Sequence, residues 1–145
     1  MPAHSRCSLD FSSAMKYAPI SLMLSVVVAT VVVFQSAIIA PVANVSLPAE
    51  SAALFLRSIW PIFFGVLGAL SLLGLIVTIN NKLGRLTHLF TLLSMVVCYA
   101  LVSTINNAMD AGNLTLWMRL HMLTVGLTML SLIFHLILIF RKRKT

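Results

Sequence analysis

The sequence predicts an all-α integral membrane four-helix bundle with both termini cytoplasmic. Three observations predict it. Of 145 residues, 60% are hydrophobic and only 9% charged; four apolar runs are long enough to cross a bilayer; and the basic residues gather at alternate ends of those runs. A soluble domain carries about 25% charged residues, whereas the acids here are Asp10, Glu50 and Asp110. That balance excludes a soluble globular domain, a disordered segment and a disulfide-rich secreted module.

A spanning helix needs about 20 apolar residues to cross roughly 30 Å of hydrocarbon. After an N-terminal tail over 1–17, the first span runs over about 18–40, with Gln35 its one strongly polar residue. Its apolar stretch is longer than the about 7–15 residues of a signal-peptide core, so it is read as a true helix. Met15-Lys16-Tyr17 also has the form of a natural start, so 1–14 is read as either an extension outside the natural chain or a loose tail. Pro41 and Pro48 bracket an outer loop. The second span covers about 54–79 and carries Gly65, Gly68 and Gly74. Asn80 to Arg85 is short enough only for an antiparallel hairpin, and leads to a third span over about 86–105. An outer turn, Asn106 to Asn113, precedes the fourth span over about 116–140, with Trp117 and Trp60 as interfacial aromatics. A basic tail, 141–145, closes the chain.

Charge sets the orientation. Eight of the ten Lys and Arg residues fall in the N-terminal tail, the second-to-third loop and the C-terminal tail; the remaining two, Arg57 and Arg119, lie near helix starts. Such asymmetry places the basic side in the cytoplasm, against anionic lipid. The expected place is therefore a plasma membrane, the inner membrane in a bacterium. The net charge of +7 is topogenic; a nucleic-acid binder would spread it over a folded face. Partners are the lipid bilayer, other membrane proteins or further copies of the chain. Cys7 and Cys98 fall in a tail and inside a span, so no disulfide is expected.

Two constellations carry chemistry. His88 lies three residues inside Arg85 and His135 six residues inside Arg141. At 1.5 Å per residue both are within about 10 Å of the cytoplasmic boundary. On antiparallel helices they share a depth, and two imidazoles from facing helices are how a bundle holds haem b or a metal such as copper or zinc. The bland counterpart is an interfacial His88 and a His135 bonded to a neighbouring hydroxyl or carbonyl. The second constellation is polar and outward: Asn107, Asp110, Trp117, Arg119 and His121, with Asp110 and Arg119 expected to pair across the turn. An acid, a base and an amide there would move protons or orient a small apolar substrate; a charge-balanced turn with interfacial anchors is the plainer reading. No Walker A, GxGxxG, HExxH, CxxC or GxSxG pattern occurs, so phosphate-cradling and the common hydrolase chemistries have no support, and no metal-ligand motif is assigned.

Three segments carry a resemblance when taken together: Ile39-Ala40-Pro41 followed by Leu47-Pro48, Glu50-Ser51-Ala52 and Ile59-Trp60-Pro61; Thr104-Ile105-Asn106-Asn107; and Trp117-Met118-Arg119-Leu120-His121. From about Ser25 to Phe140 the pattern resembles the small four-helix membrane proteins related to transmembrane protein 205, a family of unknown function. It is also similar to the anthrone-oxygenase-like membrane family. The chain departs from both in lacking glycine in its first helix and in having Thr104-Ile105 where a proline is expected. The first resemblance implies a four-helix membrane bundle of unknown biochemical role. The second implies an oxygenase-like site at Asn107, Trp117 and His121. Function is thus framed as a non-enzymatic bundle or accessory membrane component, with a membrane-embedded redox protein or oxygenase as the alternative.

Overall fold

The computed structural model describes residues 6–78 and 81–142, with side chains described over 20–78 and 81–141. The secondary structure among these residues is helical throughout: α1 (Arg6–Phe34), a π-helical turn (Gln35–Ile39), α2 (Ala40–Ser46), α3 (Ala49–Val77), α4 (Lys82–Asp110) and α5 (Leu114–Lys142). Four stretches are long and apolar enough to cross a membrane: Ile20–Ser46, Ala49–Val77, Lys82–Asp110 and Leu114–Arg141.

Each helix outruns its apolar segment. The expected N-terminal tail is helical from Arg6 onward, and the basic residues Arg143 and Lys144 lie outside the described residues. Pro41 does not end the first span. A proline removes one backbone donor and crowds the carbonyl four residues earlier; the wider turn just before it, in which the Ala40 amide reaches back to the Gln35 carbonyl, absorbs both effects. The helix then continues to Ser46, and the connection to α3 shrinks to Leu47 and Pro48. Leu47 is extended (φ −112°, ψ 149°), as a residue before proline must be. Asn81 caps α4, its side-chain oxygen accepting from the Gly84 amide at 3.2 Å.

The outer turn contracts in the same way. Asn106 to Asp110 stay helical, and the chain reverses over Ala111, Gly112 and Asn113, with Gly112 supplying the positive φ of 68° that ends the helix. Asn113 Oδ1 then accepts from the Leu116 amide at 3.1 Å and starts α5. These polar residues remain in the helix because its backbone bonds satisfy themselves near the membrane surface, where a loop would gain nothing.

The four spans close a ring in chain order: α1 packs on α3 and α5, α3 on α4, and α4 on α5. Large apolar side chains point outward along every span, among them Met23, Ile62, Ile76, Val96, Met122 and Phe140. The inward apolar cluster is small: Val28, Val32, Phe63, Phe64, Leu67, Met95 and Cys98. Trp60 packs beside it, edge-on to Phe63 (ring centres 5.5 Å apart) and stacked on Phe64 (5.7 Å). An outside this apolar suits lipid, a solvent in which burying apolar area gives little drive for helices to associate and close packing must do it.

Candidate functional site

The interior is mostly polar over one half of its length. At the end of the bundle marked by the α3–α4 turn, the buried positions include Ser21 and Ser25 of α1, Ser71, Gly74 and Thr78 of α3, Thr87, His88, Thr91 and Ser94 of α4, and Ser131 and His135 of α5, with Leu138 of α5 a buried apolar side chain among them. Several of these hydroxyls spend their proton inside their own helix. Ser25 donates to the Ser21 carbonyl at 3.0 Å, Thr78 to Gly74 at 2.7 Å, Thr91 to Thr87 at 3.0 Å and Ser131 to Leu127 at 2.9 Å. Back-bonding of this kind leaves the oxygen lone pairs facing the bundle interior.

Within that half the structure brings His88 and His135 together. Both are 0% exposed, and their ring centres lie 4.9 Å apart at an interplanar angle of 65°. Gly74 makes room for His88: a Cβ at that position would overlap Nδ1, Cε1 and Cγ of the ring. Thr91 orients His135. Its Oγ1 lies 3.1 Å from His135 Nε2 while its own proton goes to the Thr87 carbonyl. The imidazole must therefore donate, which assigns the proton to Nε2 and leaves Nδ1 as a lone pair. That Nδ1 and both nitrogens of His88 are buried with no hydrogen-bond partner, as are Ser71 Oγ and Ser21 Oγ in the same half of the bundle. Buried polar atoms are nearly always partnered, so three orphan nitrogens on two touching rings set this pair apart.

Haem does not fit the rings as they stand. Axial imidazoles on opposite faces of an iron have centres about 6 Å apart, from two bonds of about 2 Å plus each ring's half-width. An edge contact at 4.9 Å leaves no space for a porphyrin plane between them. Among the described residues no group of three or more His, Cys, Asp or Glu side chains is placed to hold a metal ion. Cys98 lies ten residues along α4 from His88, about 15 Å by helix rise.

The outer constellation does not converge. Asp110 pairs with Arg57 of α3 and not with Arg119: the guanidinium meets both carboxylate oxygens, at 2.5 and 3.2 Å. The reason is adjacency, since α3 and α4 run side by side and bring Arg57 level with the end of α4. Trp117 and His121 stack on one another, one turn apart, at 5.2 Å and 5°. Arg119 and Asn107 are exposed, Arg119 on the face of α5 that also carries Thr115, Met118 and Met122. Among the described residues no hydrogen bond or ion pair joins Asn107, Asp110, Arg119 or His121 to another of the five.

Reading for known motifs passes over the hydroxyls that surround the histidines. A signal for them exists. Thr124, Thr128, Ser131 and His135 recur at helical spacing within an otherwise apolar run, and all four are buried. Polar residues repeating on one stripe of a lipid-solvated helix mark the face turned away from lipid. Ser21 and Ser25 do the same on α1.

No family model, curated protein or solved structure matches this chain. Fold and surface alone therefore define its class, a small integral membrane protein of four apolar helices.

Proposed function

We propose that the protein is a multi-pass bundle of the plasma membrane, or of the inner membrane in a bacterium, with both termini cytoplasmic. In this reading it serves as a non-enzymatic or accessory component by holding a small ligand between His88 and His135. One observation carries the proposal: two fully buried, touching imidazoles retain three unpartnered nitrogens, although apolar side chains of similar size would fill the space at no polar cost. The interior around the pair supplies neutral imidazoles and hydroxyls and no carboxylate, a set suited to binding and poor in acid–base partners. The resemblance to the transmembrane protein 205-like family belongs to the same proposal.

Native mass spectrometry with elemental analysis tests it, on protein extracted in mild detergent and compared with His88→Leu/His135→Leu. The natural protein should carry a bound species that the double variant loses, both running as the same monodisperse particle. Identical mass and elemental content in the two proteins would refute the reading.

A further inference from the structure

We propose, building on the ligand-site reading above, that the pair binds one monovalent d10 metal ion, Cu(I), through Nδ1 of His135 and one nitrogen of His88. Four features of the site lead there. The first is donor preparation: the Thr87–Thr91 relay fixes the His135 tautomer so that Nδ1 presents a lone pair, which is how outer-shell bonds ready a metal-ligating imidazole. Gly74 in turn gives His88 its position.

The second is size. The rings touch at 4.9 Å, so an occupant must be ion-sized. Two-coordinate Cu(I) takes its donors nearly in line, which with metal–nitrogen bonds of about 2 Å sets the ring centres about 6 Å apart, so binding one ion parts the rings by about 1 Å.

The third is polarity. The surrounding hydroxyls of Ser25, Thr78, Thr91 and Ser131 have given their protons to backbone carbonyls, so these four oxygens keep lone pairs. Lone pairs favour a cation and repel an anion.

The fourth is charge. Asp110 and Glu50, the acids whose side chains are described, sit at the opposite end of the bundle, and Asp110 is already paired with Arg57. Both imidazoles are neutral donors, so an ion keeps its full charge in a low-dielectric interior. Desolvation scales with the square of charge, which makes a divalent ion about four times as costly to bury as a monovalent one. Sodium and potassium prefer oxygen ligands, whereas imidazole suits copper. On the cytoplasmic side the reducing poise keeps copper in its lower state.

The test uses the full chain in detergent, under anaerobic conditions, with Cu(I) delivered against a chromophoric Cu(I) chelator. One equivalent should bind, with an X-ray absorption spectrum showing nitrogen and no sulfur ligands. His135→Leu should abolish binding. Thr91→Val, which leaves both rings in place, should weaken it about 10–100-fold at unchanged stoichiometry. His121→Leu, at the far end of α5, should bind as the natural chain does. Zn(II) binding more tightly than Cu(I) at the same histidines would overturn the monovalent assignment and leave the ligand-site reading standing. Failure of the natural chain to compete for Cu(I), or Thr91→Val binding unchanged, would overturn this proposal. The mass comparison above then decides the broader reading.

Discussion

Replacing Gly74 with alanine should cost stability, and the loss should disappear when His88 is also removed. The new methyl would overlap three atoms of the His88 ring, and that ring cannot retreat freely because His135 lies against it at 4.9 Å. Overpacking of this kind costs about 1–3 kcal/mol. Against it stands the helix preference of alanine over glycine, about 0.5–1 kcal/mol. The net loss for Gly74→Ala should therefore be about 0.5–2 kcal/mol. Gly65 provides the reference, since a Cβ there meets nothing within 4 Å; Gly65→Ala should be neutral or gain up to about 1 kcal/mol. In the Gly74→Ala/His88→Ala chain the overlap is gone, and the coupling between the two changes should be about 1–3 kcal/mol. Reversible unfolding in SDS against a mild detergent, followed by tryptophan fluorescence, measures these variants, His88→Ala alone and the natural chain. If Gly74→Ala matches Gly65→Ala, or the pair is additive within about 0.5 kcal/mol, the placement of His88 against α3 is wrong.

Three further outcomes are expected. Asp110→Asn should lower stability by under about 1 kcal/mol, as for a part-exposed ion pair, and should show coupling to Arg57→Gln but none to Arg119→Gln in double-mutant cycles. A reporter fused after Thr145 should be active only in the cytoplasm and one inserted between Leu47 and Pro48 only outside; a C-terminal reporter found outside would break the proposed orientation. With Cys7 and Cys98 replaced, His88→Cys/His135→Cys should crosslink with a short thiol reagent and His88→Cys/His121→Cys should not, the second pair being roughly 20 Å apart by helix rise.

The spans were readable from the sequence because lipid leaves no choice: a run of apolar residues that long has nowhere else to go. Their ends were not. Polar residues at Asn106–Asp110 and the proline at Pro41 read as loop, yet Asn106–Asp110 remain helical, and the π-turn at Gln35–Ile39 carries the first span through the proline. The same division holds at the site. Depth follows from counting residues, so His88 and His135 could be matched from their distances to the basic anchors. Azimuth depends on how helices roll against one another. For that reason the sequence pointed Asp110 toward Arg119, its near neighbour in the chain, while the folded chain offers it Arg57 from the adjacent helix. The hydroxyl stripe on α5 carries azimuthal information, because a polar residue every three or four positions in a lipid-facing span can only turn inward.

The division of the interior into two halves bears on which end can feed the histidines. Toward the Arg57–Asp110 end the bundle is filled by Val28, Val32, Phe63, Phe64, Leu67, Met95 and Cys98, with Trp60 packed beside them. In that layer the buried hydroxyls beside Cys98 are those of Thr124 and Thr128, which give their protons to the His121 and Thr124 carbonyls, so an ion crossing it would meet few lone-pair donors, at the cost that keeps charges out of hydrocarbon. Toward the α3–α4 turn the buried groups are mostly polar as far as Ser21, Thr78 and Thr87, with Leu138 a buried apolar side chain among them. A ligand at the histidines would therefore enter and leave by one end, the basic end in the proposed orientation. A bundle whose buried polar groups gather toward one end and whose other end is packed mainly with apolar side chains has the build of a binding protein, in contrast to a conduit, whose polar lining must continue across both leaflets.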